Sequence, residues 1–166
     1  MTLPQTNEPV WLVEARKYIG QKEYPGAANN PWIVSLWKAI KRGGIKSDAV
    51  PWCAAFVGGC LEHVGIISSR FESARSYMSW GVPLKTPVTG CIAVFARAGG
   101  GHVGFVVADD GNGRLLILGG NQSDQVSIAP FERSRVIGYR WPTAVPVPTE
   151  TLRVIGSKQR SSTNEA

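Results

Sequence analysis

Two apolar runs, GHVGFVVA and RLLILGG, are joined by the five residues Asp109, Asp110, Gly111, Asn112 and Gly113. Asp-Gly and Asn-Gly supply the positive-φ residues that tight turns require, so the runs are expected to return on each other as an antiparallel hairpin. The acidic turn is not an EF-hand loop, because it lacks the roughly twelve-residue ligand spacing and the closing glutamate. If Asp109 pairs with Arg114, paired residue numbers sum to 223 and His102 falls opposite Asn121. Directly opposed side chains on one face have Cβ atoms about 4.5 to 5.5 Å apart. Alternation groups His102 with Gly104, Val106 and Ala108 and sets Val103, Phe105 and Val107 on the other face. The small neighbours of His102 leave room on its face for another element or for a substrate. Glycines at 99–101 let the backbone turn tightly just before the histidine.

The remainder divides into a helical first half and a strand-like second half. Apolar residues at 11, 12, 13, 15 and 19 follow Asn7, Glu8 and Pro9 and stop at Gly20, which predicts a helix. Residues 24–30, YPGAANN, read as a loop. Pro31 opens a second helical pattern through Trp32, Ile33, Leu36, Trp37 and Ile40, ended by Gly43 and Gly44. A third helix starts at Pro51, and residues 71–80 form a short segment with weak helical character. From there the segments 91–96, 102–108, 115–120, 126–128 and 136–141 are short, apolar and bounded by turn residues. Helices first and strands second predict an α+β domain with an antiparallel sheet packed on an N-terminal helical half. The domain is expected over residues 8–142, followed at 143–166 by a proline-rich and then polar tail, in part disordered and mobile after about residue 155.

At 166 residues and 43% hydrophobic content the chain can bury a sizeable core. The net charge of +6 suits an anionic partner, nucleic acid or a polyanionic envelope, or simply a solvated basic surface. The N-terminal MTLPQTNEPV lacks the charged and apolar regions of an ordinary secretory signal, so synthesis in a cytoplasm is expected. No apolar run approaches the roughly 18 residues of a spanning helix, so membrane insertion is not expected. Three cysteines, an odd number without CxxC spacing, form neither a disulfide framework nor a zinc site.

With Pro51 as first helical residue, Cys53 lies in the first turn of the third helix, where free N–H groups and the helix dipole favour thiolate over thiol. Read from its own stretch alone, Cys53 fits a small core residue at least as well. A nucleophile needs a base. His63 lies ten residues along the same helix, about 15 Å away by the 1.5 Å rise, and is expected to be satisfied or solvent-facing. Cys60, two turns beyond Cys53, is expected to be structural. His102 remains as the base, with the Asn121 amide across the hairpin as its orienting partner and Gln122 in reserve. Trp52, beside the nucleophile, suits a cleft wall and equally a core aromatic. Tyr24 suits a substrate contact.

The order Cys, His, Asn is the papain-like one. The segments PWCAAFVGGCL, GHVGFVV and LGGNQ resemble the CHAP and NlpC-type cysteine peptidoglycan hydrolases, and YIGQKEYPG is similar to a stretch of single-domain phage lysins. The resemblance covers roughly residues 10–141. It implies a papain-like fold in which a helix carrying Cys53 packs on a sheet carrying His102, with Asn121 at the third position. It further implies amide hydrolysis in peptidoglycan, acting at the cell wall after release or delivery, by a monomer that needs neither metal nor organic cofactor. Other readings stay open: a non-catalytic basic domain that binds envelope or nucleic acid, and a Cys–His acyltransferase or deamidase. The nucleic-acid reading is the weaker, because Trp11, Trp32 and Trp37 sit at helical core positions and no recognition motif accompanies the basic groups.

Overall fold

The computed structural model describes residues 8–97, 100–156 and 161–162, so Gly99 and much of the tail expected to be mobile lie outside the described residues. Three helices come first, α1 (Val10–Arg16), α2 (Pro31–Ala39) and α3 (Cys53–His63), followed by a 3-10 helix at Ala74–Ser79. Six strands follow: β1 (Val82–Leu84), β2 (Ile92–Arg97), β3 (Gly100–Asp109), β4 (Arg114–Gly119), β5 (Ser127–Glu132) and β6 (Val136–Trp141). They form one antiparallel sheet in the order β1-β6-β2-β3-β4-β5, an α+β architecture. Strand β1 carried no recognisable signal in the sequence, because three residues are too few to show alternation.

The helix starts follow local chemistry. Asn30 caps α2 by accepting the Trp32 N–H at 2.9 Å, and Pro31 takes the first position, where its missing N–H costs nothing. α3 begins two residues later than Pro51 suggested. Trp52, at φ −117° and ψ 18°, is the cap, so Cys53 is the first helical residue. Trp11, Trp37, Trp52 and Trp141 are fully buried, and the other two tryptophans pack against the same core. Four of the six tryptophans available for base stacking are therefore interior, and the other two lie half-buried against the core.

The β3–β4 hairpin forms as expected, with a different register at its turn. Asp110 accepts N–H bonds from Asn112 and Arg114, and Gly111 and Gly113 take positive φ. Asp109 pairs with Leu115, a sum of 224, and a bulge between Val106 and Ala108 returns the ladder to 223, as in Phe105 with Leu118. The bulge also removes Ala108 from the face of His102.

The helical layer covers the face of β3 opposite to the expected one. Phe56 of α3 meets Phe105 with ring centroids 6.4 Å apart, and Phe105 lies three residues from His102, on the other side of the pleat. At Gly120 a Cβ would lie 2.6 Å from Phe56 Cβ and 2.8 Å from the Trp52 ring, so only glycine lets α3 approach this closely. The room expected beside Gly104 is taken by Ile117, whose Cγ2 lies 2.4 Å from where a Cβ would stand.

The proline-rich segment after β6 turns back along the sheet. The Asp109 N–H donates to Arg153 O at 2.9 Å, the Ile155 N–H donates to Asp109 O at 2.7 Å, and Val154 bridges Asp109 in parallel. Arg153 pairs with Glu8, which ties this segment to the start of α1.

Candidate active site

Cys53 opens α3 and is 4% exposed. Burial pushes its thiol above the ordinary value, opposed by the backbone N–H groups of Val103, Ala54 and Cys53 itself and by the charge of Arg97. The donors expected of a helix start are therefore present, yet desolvation outweighs them. The Val103 contact sets the sulfur beside the residue that follows His102. α3 approaches from the Phe105 face, so the thiol meets β3 at the backbone, where β4 has already ended at Gly119.

His102 is fully buried. Its ring stacks on Phe131 at 5.2 Å with 6° between planes, and Phe95, its partner across the β2–β3 ladder, flanks it at 6.0 Å. Its Nε2 lies 3.0 Å from Gln122 Oε1. The amide orientation of Gln122 is fixed by its own donors, since Nε2 of that side chain reaches Ile117 O at 3.2 Å and Ser127 O at 2.9 Å, and carbonyls only accept. An amide oxygen facing the ring requires the imidazole Nε2 to carry the proton. The lone pair is therefore on Nδ1 in the neutral ring.

Gln122 thus takes the position expected for Asn121. β4 ends at Gly119, and Asn121 turns out of the strand at φ 60°, so the register sum no longer applies to it. Its amide is buried, and among the described residues neither its Oδ1 nor its Nδ2 has a hydrogen-bond partner. Gln122 folds back over Gly119, where a Cβ would lie 2.3 Å from Gln122 Oε1 and 3.4 Å from His102 Nε2. The absent side chain at Gly119 is what admits the Gln122 amide. In the sequence, a glycine preceding an Asn-Gln pair was the available hint.

The other candidates separate clearly. Trp52 is fully buried and donates its indole N–H to Glu23 at 2.9 Å, so it packs rather than walling an open cleft. Glu23 is itself shifted up by burial. Tyr24 is exposed, with its backbone N–H held by Asp48, which also accepts from the Asn30 N–H. Cys60 is fully buried, with its thiol pushed far up by desolvation. His63 lies on the surface with Nδ1 2.9 Å from Glu14 Oε2. Phe131 and Arg97 were missed, because only the assembled sheet brings them to His102 and Cys53. Among the described residues no cluster of three or more His, Cys, Asp or Glu side chains could hold a metal ion, and no helix is long and apolar enough to cross a membrane.

Residues 45–121 match the family model of the CHAP domain. Over that segment the chain is similar to the CHAP domain. The match spans Cys53, His102 and Asn121 and ends one residue before Gln122. No curated protein matches the chain. CHAP domains have a papain-like α+β fold, act on peptidoglycan and are in general cysteine- and histidine-dependent amidases or peptidases.

Proposed function

We propose that this CHAP-like domain hydrolyses an amide bond of peptidoglycan, in the stem peptide or at the sugar–peptide linkage, with Cys53 as nucleophile, His102 as base and Gln122 as the residue that positions His102. The observation that carries the reading is the Gln122-bound imidazole, whose tautomer leaves Nδ1 to receive the thiol proton. Proton transfer from Cys53 to Nδ1 creates the thiolate, which attacks the carbonyl carbon. The resulting oxyanion is stabilised by the Cys53 N–H at the start of α3. Nδ1–H then protonates the leaving amine, and a thioester remains. Water attacks it, Nδ1 takes the water proton, and collapse releases the acid and restores the thiol.

A buried thiol, pushed up by desolvation, suits this sequence, because proton transfer to a fixed base can accompany attack and no free thiolate has to persist. Exposed Tyr24 serves as a substrate contact in this reading. The net charge of +6 suits the anionic cell wall, and bacteriolysis, by a phage lysin or by a delivered wall-degrading enzyme, is the setting we propose.

The test is incubation of wild-type and Cys53→Ala protein with purified sacculi, followed by mass spectrometry of the released fragments. New amines are expected with wild type alone, and their position separates amidase from endopeptidase. Identical fragments from both proteins would rule out Cys53 as nucleophile.

A further inference from the structure

Most arginines of this basic chain are neutralised by carboxylates: Arg16 and Arg153 by Glu8, Arg42 by Glu72, Arg70 by Glu62, Arg114 by Asp110 and Arg133 by Asp109. Arg140, which donates to Met78 O, has no carboxylate partner among the described residues, and the same holds for Arg97 and Arg75. The last two are both fastened to the backbone that leads into His102. Arg97 Nε donates to Gly101 O at 3.3 Å, and Arg75 donates to Gly100 O through Nε at 3.2 Å and Nη2 at 3.1 Å.

Their placement relative to the site follows from the ladder. Phe95 pairs with His102, and Arg97, two residues on along β2, is on the same face, diagonal to the histidine. Arg75 comes from the 3-10 helix over the other face, its Cγ 3.3 Å from where a Gly101 Cβ would stand. Two guanidinium groups therefore bracket the start of β3. Arg97 also lies within electrostatic reach of the Cys53 sulfur, since its charge is among the influences that oppose the upward shift of that thiol.

A guanidinium has five N–H donors, and one or two bonds to a carbonyl leave the rest, with the full charge, for an anion. Carbonyl bonds hold the planar group without neutralising it, and a carboxylate matches its donor spacing. We propose that Arg97, on the face of His102, forms a carboxylate-binding subsite that selects amide bonds flanked by a free carboxylate of the stem peptide. This rests on the hydrolytic reading of the same site and adds to it the charge of the substrate beside the cut. Removal of one charge-assisted pair should cost about tenfold in selectivity.

Two synthetic stem peptides, identical except that one has a free carboxylate beside the scissile amide and the other its carboxamide, test the subsite. Binding to Cys53→Ala protein is measured by calorimetry, and turnover by wild type is measured as released amine. Tighter binding and about tenfold higher kcat/KM for the carboxylate peptide are expected. In Arg97→Gln the ratio between the peptides should fall toward one, Arg97→Lys should recover part of it, and Arg75→Gln, on the opposite face, should keep it. Equal binding of the two peptides, or a preference that persists in Arg97→Gln, overturns the subsite and leaves hydrolysis standing. A carboxylate preference in binding with no amine released by wild type supports the subsite and overturns the hydrolytic reading instead.

Discussion

The two histidines of this chain each meet a side-chain oxygen at nearly the same distance, and the environments make them different chemical groups. His63 ends α3 on the surface with Nδ1 2.9 Å from the Glu14 carboxylate. His102 is buried against Phe131 with Nε2 3.0 Å from the neutral amide oxygen of Gln122. A carboxylate brings a full negative charge to its partner, an electrostatic bias that an amide does not impose. A neutral amide fixes orientation and tautomer without that bias. The comparison teaches that a base is made by what the partner does not carry.

The largest effects should separate the two regions outright. Cys53→Ala and His102→Ala should each lower turnover of sacculi about a thousandfold or more, whereas His63→Ala and Cys60→Ser should retain it. Cys60→Ser buries a hydroxyl in an apolar environment, so thermal denaturation should show a loss of about 1 to 3 kcal/mol. Comparable activity losses at His63 and His102 would break the contrast.

Next in size are changes at the amide. Gln122→Ala should lower kcat by about ten- to a hundredfold, because the ring loses its orientation and tautomer. Gln122→Glu sharpens the comparison by giving His102 the kind of partner that His63 has. The carboxylate would raise the imidazole pKa, and the base is active only above that pKa, so the acid limb of the kcat/KM profile should move to higher pH. An unshifted profile would show that Gln122 does not act through the ring. Asn121→Ala should leave that limb in place, since neither amide atom of Asn121 hydrogen-bonds a described residue.

The smallest effect lies on the surface side. The Tyr18 hydroxyl bond, with further bonds from Lys17 and His63, outweighs burial and holds the Glu14 carboxyl at about 2 against an ordinary 4.5. A folded-state value below the unfolded one means stabilisation that is complete above pH 4.5 and fades as pH falls toward 2. Glu14→Gln should flatten chemical-denaturation stability across that window, by about 1 kcal/mol or less after solvent screening.

Much of the fold was legible because its signals are local. Asn30 before Pro31 marks a helix start through one side-chain bond, and the Asp109 to Gly113 turn specifies a hairpin through its backbone conformations. The pairing of His102 was harder to read. Counting along a ladder holds only while both strands continue, and β4 ends at Gly119 before Asn121 turns left-handed. The side of the sheet that α3 occupies was equally out of reach, since it depends on Gly120 lying against Trp52 and Phe56, some sixty residues earlier.

By itself the sequence determined the helix-then-strand order, the hairpin, a cysteine at a helix start and a histidine near a strand start, because these depend on neighbours a few positions away. Tertiary structure alone decided that Gln122 meets His102, that burial pushes the Cys53 thiol up, and that Arg75 and Arg97 have no acidic partner among the described residues. Desolvation and charge pairing depend on which distant segments share a volume, and no local pattern encodes that.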